Sequence, residues 1–227
     1  MKRKHEVRAR QTIDTLNHLL DQGITRCSLL IRHSERFFTD ISGMEPFMGL
    51  TPAGKTFAAD LGKSLQSVSS VRLFSSFFGR CIETAYLIDK GYTQARQALL
   101  EHNTCDPILA PFYIKDLEKA LNMVQAQGSE LFLRRWFDHG IEPAIMENPE
   151  TSADRICEFM IDQIKTLPQK TISICVTHDW NIFPVKEFKM RLPHESSGDV
   201  GYLDGLVFFE QNDQYHVVNF QSDPMPL

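Results

Sequence analysis

The segment Cys27-Ser28-Leu29-Leu30-Ile31-Arg32-His33-Ser34-Glu35-Arg36 passes abruptly from apolar to charged residues. Residues 27–31 form a short, continuous apolar run, which predicts a buried strand of the kind found in parallel sheets. Ligands of open α/β sheets bind beyond the carboxyl ends of such strands. We therefore expect the charged residues 32–36 to lie at a ligand-binding edge of the sheet.

Two later segments have the same layout. Residues 71–74 predict a second strand, followed by Ser75-Ser76-Phe77-Phe78-Gly79-Arg80. Residues 171–176 predict a third, followed by Thr177-His178-Asp179. If these strands are parallel neighbours of the first, their polar ends meet at one edge of the sheet. That edge would hold three arginines, two histidines and a carboxyl group.

Helical patterns alternate with these strands along the chain. Apolar periodicity and capping residues predict helices over about 9–22, from Thr51-Pro52, over about 79–90 and from Thr151, then a hairpin of strands near 205–210 and 215–220. The alternation predicts an α/β fold, namely a three-layer α/β/α sandwich with a mostly parallel central sheet. We expect a single domain over 1–227, with short helices near 115–127 and 129–138 in an insertion or cap over about 106–150.

Composition narrows the function classes. The formal net charge of -5 gives no global attraction to nucleic acid or to an anionic membrane, so we expect neither as a partner. We also expect no secretory signal and no membrane span. The five cysteines are odd in number and widely spaced, which predicts reduced thiols and a cytoplasmic location. The histidines lack metal-ligand spacing, so we predict no metal and no other cofactor.

The chemistry of the predicted edge suits a small-molecule phosphomonoester. A phosphoryl group carries roughly two negative charges near neutral pH and offers three acceptor oxygens. Arginine presents a planar, permanently charged fork that matches those oxygens. A neutral imidazole can attack phosphorus, and nearby arginines favour its neutral form. A carboxylic acid beside the leaving oxygen can then donate a proton.

The ordered motifs resemble those of the histidine phosphatase superfamily, also called phosphoglycerate-mutase-like. Arg32-His33-Ser34-Glu35-Arg36 resembles its first motif, in which Gly usually follows the histidine. Leu50-Thr51-Pro52-Ala53-Gly54 is similar to the opening of its next helix. The segment Ser75 to Ala85 resembles its Ser-Ser-x-x-x-Arg-x-x-x-Thr-Ala pattern, and Val176-Thr177-His178-Asp179 its second histidine motif. The segment Gly201-Tyr202-Leu203-Asp204-Gly205 resembles a late segment that borders the pocket in some relatives.

The resemblance implies a role for each matching residue. His33 would become a transient phosphohistidine, and His178 would stabilise the transition state. Arg32, Arg36 and Arg80 would hold the phosphoryl oxygens, and the Ser34 hydroxyl could contact them in place of the usual glycine backbone. The mutase-like branch uses a glutamate in the region that corresponds to 109–113, where this chain has none. Asp179 matches the proton donor of the acid-phosphatase-like branch.

The residues leave several alternatives open. The chain could be a phosphomutase of the same fold, or a non-catalytic module that binds a phosphate ligand or a protein. Arg80 could instead pair with Glu83 one helical turn away. Asp179 could cap the following helix, and Glu35 could be solvated or paired with an arginine. Phe37, Phe38 and Phe47 in the predicted loop 37–49 could wall a pocket or pack in the core.

Overall fold

A seven-stranded sheet forms the centre of the computed structural model, which describes residues 6–95 and 98–227. The strands are β1 (Arg26–Arg32), β2 (Ser70–Ser75), β3 (Ala98–Cys105), β4 (Thr171–Thr177), β5 (Gly205–Gln211), β6 (Gln214–Val218) and β7 (Met225–Pro226). Their order across the sheet is β3-β2-β4-β1-β5-β6-β7. The pairs β3–β2, β2–β4 and β4–β1 are parallel, and the pairs from β5 onward are antiparallel.

Helices cover both faces of this sheet. They are α1 (Ala9–Asp21), α2 (Pro52–Ser64), α3 (Gly79–Gln94), α4 (Leu117–Gln127), α5 (Ser129–Phe137), α6 (Pro149–Thr166), α7 (Asp179–Met190) and α8 (His194–Ser197). Apolar residues of α1, α2 and α3 pack on one face, and those of α5, α6 and α7 pack on the other. The predicted three-layer α/β/α sandwich is therefore confirmed, with a mixed sheet whose core is mostly parallel.

The register of the parallel strands brings their carboxyl ends to one edge. Arg32 at the end of β1 lies opposite Thr177 of β4, and Ser75 of β2 lies opposite Val176. The two strands on either side of β4 thus end level with it. The residues that follow the three strands must therefore leave the sheet side by side.

Differences from the predicted elements have local causes. Strand β3 lies outside the predicted strands, because most of its residues are exposed and its apolar run is only three residues long, over 98–100. Helix α6 begins at Pro149 rather than near Thr151, because the Asn148 side chain caps it by accepting from the Thr151 N–H. The predicted hairpin is confirmed, with Asn212 and Asp213 at the positive φ that its tight turn requires.

Helices α2 and α3 approach each other through glycines. A Cβ on Gly91 of α3 would collide with the Ala59 carbonyl oxygen, and one on Gly62 of α2 would collide with the Ile88 carbonyl oxygen. A Cβ on Gly79, at the start of α3, would meet nothing within 4 Å. Glycine inside a helix normally costs stability, so its presence at 62 and 91 reflects this close backbone contact.

Replacing Gly91 with alanine is therefore expected to lower the free energy of unfolding. We expect a loss of about 1–3 kcal/mol, because the two helices must separate to admit the methyl group. Gly79→Ala on the same helix is the matched control, with an expected change within about 1 kcal/mol. Urea unfolding followed by circular dichroism measures both, and equal stability of the two variants would contradict the close-contact account.

Candidate active site

Three strand ends deliver the predicted residues to one place. The His33 N–H donates to the Thr177 carbonyl oxygen at 2.9 Å, and the Ser76 N–H donates to the Val176 carbonyl oxygen at 2.9 Å. These bonds extend the parallel ladders by one residue and set the rings of His33 and His178 5.7 Å apart. One cavity of about 750 Å³ is lined by six of the seven residues singled out in the sequence: Arg32, His33, Arg36, Arg80, His178 and Asp179.

His33 is buried and held in one tautomer. Its Nδ1 lies 2.8 Å from the Ser34 carbonyl oxygen, which can only accept, so Nδ1 carries the proton of this hydrogen bond. The lone pair of the neutral ring is then on Nε2. Burial is the largest cause that lowers the pKa of His33 well below its ordinary value, and the charges of Arg32 and Arg80 add to it. The imidazole is therefore neutral and can act as a nucleophile.

His178 is neutral with the opposite tautomer. Its Nδ1 lies 3.2 Å from Nη2 of Arg80, which can only donate, so Nδ1 accepts and Nε2 carries the proton. That Nε2 lies 3.1 Å from the Ser76 hydroxyl oxygen. Burial and then the Arg80 charge lower the pKa of His178 to about 3. Both histidines of the site thus stay uncharged near neutral pH.

Carboxylates and carbonyl oxygens hold the side chains of the three arginines in place. Arg32 donates to the Val200 carbonyl at 2.6 Å and lies over the Tyr202 ring, and Arg36 pairs with the Glu45 carboxylate at 2.6 Å. The Nε–H groups of all three arginines are buried and have no hydrogen-bond partner among residues 6–95 and 98–227. All three arginine side chains line the cavity, and a guanidinium group is a planar, charged fork that can bind the oxygens of an anion.

Glu45 is a site residue that the sequence analysis missed. It lies in a short 3-10 helix, Ser42–Phe47, inside the predicted loop. Its carboxylate pairs with Arg36, and its carbonyl oxygen accepts from Nη1 of Arg80 at 3.0 Å. Residues 37–49 matched no recognisable motif, so no local signal could have found it.

Arg80 faces the cavity rather than its own helix. The alternative partner, Glu83, is bound instead by Lys55 at 2.8 Å and by the Leu50 N–H at 2.9 Å. This leaves the Arg80 guanidinium to contact His178 and Glu45. The alternative ion pair between Arg80 and Glu83 is therefore not the arrangement in the structure.

Ser34 and Glu35 have structural contacts, which corrects the expectation for Ser34. The fully buried Ser34 hydroxyl donates to the Gly54 carbonyl oxygen at 2.7 Å, and Ser34 does not line the cavity. A hydroxyl directed to this carbonyl is turned away from the expected phosphate contact. The Glu35 carboxylate accepts a hydrogen bond from the Thr51 hydroxyl at 2.8 Å. This contact differs from both alternatives for Glu35, which were a solvated carboxylate and an ion pair with an arginine. Both residues join the first loop to the start of α2.

Asp179 is the first residue of α7 and lines the cavity. Its Oδ2 lies 2.9 Å from Nη2 of Arg32, and its Oδ1 accepts from the Trp180 N–H at 3.0 Å. His178, rather than Asp179, occupies the N-cap position of the helix. The carboxyl group of Asp179 is thus positioned beside the arginines and close to solvent, being about one quarter exposed.

The remaining wall of the cavity comes from α4, α5 and α7. Phe38 lines it and lies 4.2 Å from the Arg36 guanidinium, whereas Phe37 and Phe47 are exposed and do not pack in the core. Within the described residues, no group of three or more His, Cys, Asp or Glu side chains is placed to hold a metal ion. None of the helices described there has the length and apolar character needed to cross a membrane.

Comparisons with known proteins agree on the fold and the family. The model of the histidine phosphatase superfamily (branch 1) matches residues 28–182, whereas no curated protein sequence matches the chain. The structure is similar to a phosphoglycerate mutase from Bacillus anthracis, with a TM-score of 0.57 and 18% identity over 86% of this chain and 92% of that one. It is also similar to a mycobacterial glucosyl-3-phosphoglycerate phosphatase, with a TM-score of 0.53 and 16% identity over 86% of this chain and 97% of that one. The site geometry and the match over residues 28–182 together show that the chain belongs to the histidine phosphatase superfamily.

Proposed function

We propose that the chain is a metal-independent phosphomonoester hydrolase that works through a phosphohistidine on His33. The neutral, buried His33 ring, which lines one cavity together with Arg32, Arg36 and Arg80, carries this proposal. Its Nε2 attacks phosphorus, so that an N–P bond forms as the bond to the leaving oxygen breaks. Water then attacks the same phosphorus and the N–P bond breaks, so that inorganic phosphate leaves, the neutral imidazole is restored and a proton of the water returns to the carboxylate that protonated the leaving oxygen.

Arg32, Arg36 and Arg80 supply the electrostatic part of the reaction. Their guanidinium groups are already gathered around the cavity by Glu45, Asp179 and backbone carbonyls, so little reorganisation is needed when phosphate binds. Donors held in place before the reaction are the main catalytic contribution in phosphoryl transfer. His178 is held beside Arg80 and His33, where it can stabilise the charge that develops in the transition state.

We assign Asp179 as the proton donor to the leaving oxygen. In the free protein its carboxylate pairs with Arg32. A bound phosphate dianion brings negative charge next to that carboxylate, which favours its protonated form. The region 109–113 contains no carboxyl group, and its Pro111 lines the cavity instead. Asp179 is thus the acid that the site offers beside Arg32.

A phosphomutase remains the rival activity, because the superfamily relatives include both mutases and phosphatases. The two differ in whether water or an organic hydroxyl accepts the phosphoryl group from His33. The absence of a glutamate in 109–113 favours hydrolysis. Product analysis distinguishes them, since a mutase converts its substrate without net release of phosphate.

A phosphohistidine intermediate predicts that phosphate from the substrate becomes covalently attached to the protein. Wild-type protein mixed with a phosphomonoester labelled on phosphorus, and denatured in alkali to preserve the N–P bond, is expected to retain label. His33→Ala is expected to retain none, because the attacking nitrogen is gone. His102→Ala, which removes an exposed histidine on β3, is the control and should label like the wild type. Equal labelling of His33→Ala and the wild type would exclude His33 as the nucleophile.

The role of Asp179 predicts a dependence on the leaving group. Asp179→Asn should lower kcat/KM for an alkyl phosphate by about 10²–10⁴-fold, because a poor leaving group needs the proton. The loss with a nitrophenyl phosphate should be below about tenfold, since that leaving group departs as the anion. Glu45→Gln is the comparison among the other cavity carboxyls. If Glu45→Gln, rather than Asp179→Asn, gives the leaving-group dependence, the proton donor is Glu45.

The neutral histidines predict that acid destabilises the fold. Both have a folded pKa below the ordinary value of 6.5, so the unfolded chain takes up their protons first as the pH falls. Stability is therefore complete above about pH 6.5 and declines toward the pKa of about 3 of His178, by about 1.4 kcal/mol per pH unit for each histidine.

Urea unfolding at about pH 7.5 and about pH 5.5 measures this effect. The wild type should lose about 2–3 kcal/mol more over this interval than a His33→Gln, His178→Gln double variant. The comparison uses the change with pH, so a uniform loss of stability in the variant does not affect it. An identical pH dependence of the two proteins would show that the histidines are not held neutral by the fold.

A further inference from the structure

The catalytic cavity continues past the arginines along an apolar wall. Helix α4 contributes Leu117, Leu121 and Val124, and α7 contributes Trp180 and Phe183. The whole cavity measures about 750 Å³, a volume in the range that holds a drug-sized ligand. A phosphate group alone would leave most of this space unfilled. We propose that the substrate is a phosphomonoester of an apolar alkyl or aryl alcohol, an inference that rests on the proposed function of the site.

The α4 residues form a stripe directed at the cavity. Leu117, Leu121 and Val124 stand at positions i, i+4 and i+7, which lie on one face of a helix. Leu117 is 60% exposed and Leu121 is 47% exposed, so these leucines do not serve the core. Single exposed leucines are ordinary, but a stripe that continues into a phosphate-binding cavity offers apolar surface to the group attached to that phosphate.

The charges of the cavity disfavour a second anionic group on the substrate. Among the described residues that line it, the Arg and Lys residues are Arg32, Arg36 and Arg80, all beside His33. The far part is lined by the acidic Glu130 and Asp199 and by His194. A carboxylate or second phosphate on the leaving group would therefore meet apolar side chains, two carboxyl groups and one histidine, with no arginine or lysine among the described lining residues there. The site fits one phosphate at the arginines and an uncharged apolar group beyond it.

Binding of phosphonates tests the substrate class without requiring turnover. Isothermal titration calorimetry compares methyl-, butyl-, hexyl- and phenylphosphonate with phosphonoacetate, which carries a second anion. Affinity is expected to rise about fourfold for each added methylene, the gain for burying that group. Phosphonoacetate should bind no more tightly than methylphosphonate. The hexyl and phenyl ligands show whether the wall favours a chain or a ring, and tight binding of either supports an apolar leaving group.

Two matched variants locate the apolar contact. Leu121→Asn should remove most of the increase in affinity from methylphosphonate to hexylphosphonate. The affinity for methylphosphonate should stay within about twofold of the wild-type value, because this substitution does not touch the groups that bind the phosphonate. Leu131→Asn on α5 is the control, since Leu131 is 65% exposed but does not line the cavity, and it should bind the series like the wild type.

Failure of this inference can be told apart from failure of the proposed function. Affinity that is flat across the alkyl series, or highest for phosphonoacetate, would overturn the apolar substrate class whether or not the protein hydrolyses phosphomonoesters. Loss of the length dependence in both leucine variants would also overturn it. A retained length dependence without phosphate release from alkyl or aryl phosphates would support the apolar class and reject hydrolysis instead.

Discussion

The parallel pairing of β1 with β4 is the constraint on which the whole site depends. Arg32 lies opposite Thr177, and the ladder continues through the bond from the His33 N–H to the Thr177 carbonyl oxygen. His33 and His178 therefore leave the sheet at the same level. Strand β2, on the other side of β4, ends level with both and leads through Ser76 to Arg80. A shift of one residue in this register would turn these side chains to the other face of the sheet and separate the two rings.

The charge balance of the cavity follows from this crowding. Three guanidinium groups lie around two buried imidazoles, and burial disfavours any further charge there. Both imidazoles are therefore neutral. The Ser34 carbonyl oxygen accepts from Nδ1 of His33 and so keeps the proton on that nitrogen. The Arg80 guanidinium donates to Nδ1 of His178, which leaves the proton of that ring on Nε2. The arginines are partly neutralised by Glu45 and Asp179. The proposed phosphate would therefore find its cationic groups already held in place.

The family match identifies the fold and the superfamily, whereas the candidates for the proton donor come from the side chains that line the cavity. The match to branch 1 of the superfamily covers residues 28–182, yet the region that resembles the mutase glutamate segment contributes Pro111 to the cavity wall. The carboxyl groups near the arginines come instead from the start of α7 and from a loop helix. The helices α4 and α5 then line the space beyond the phosphate site. The proposed proton donor and the proposed substrate surface therefore come from segments other than the one that resembles the mutase glutamate region.

Much of the fold and six of the site residues could be predicted from local sequence patterns. Continuous apolar runs mark buried parallel strands wherever they occur, and the residues after each run must lie at the carboxyl edge of the sheet. The same reasoning could not find β3, because an exposed edge strand needs no apolar run. Nor could it place Glu45, whose partners Arg36 and Arg80 are brought to it only by the folded chain.

Short apolar and polar runs along the chain are enough to predict the layers of the fold and the edge at which His33, His178 and the arginines meet. The folded chain is needed to assign the tautomers of the two histidines, the inward turn of the Ser34 hydroxyl toward Gly54 and the apolar character of the cavity beyond the arginines. Each of these depends on which backbone oxygen, guanidinium or helix face lies beside a group after folding. Most such partners are distant along the chain and have no signature in the residues next to the group they contact.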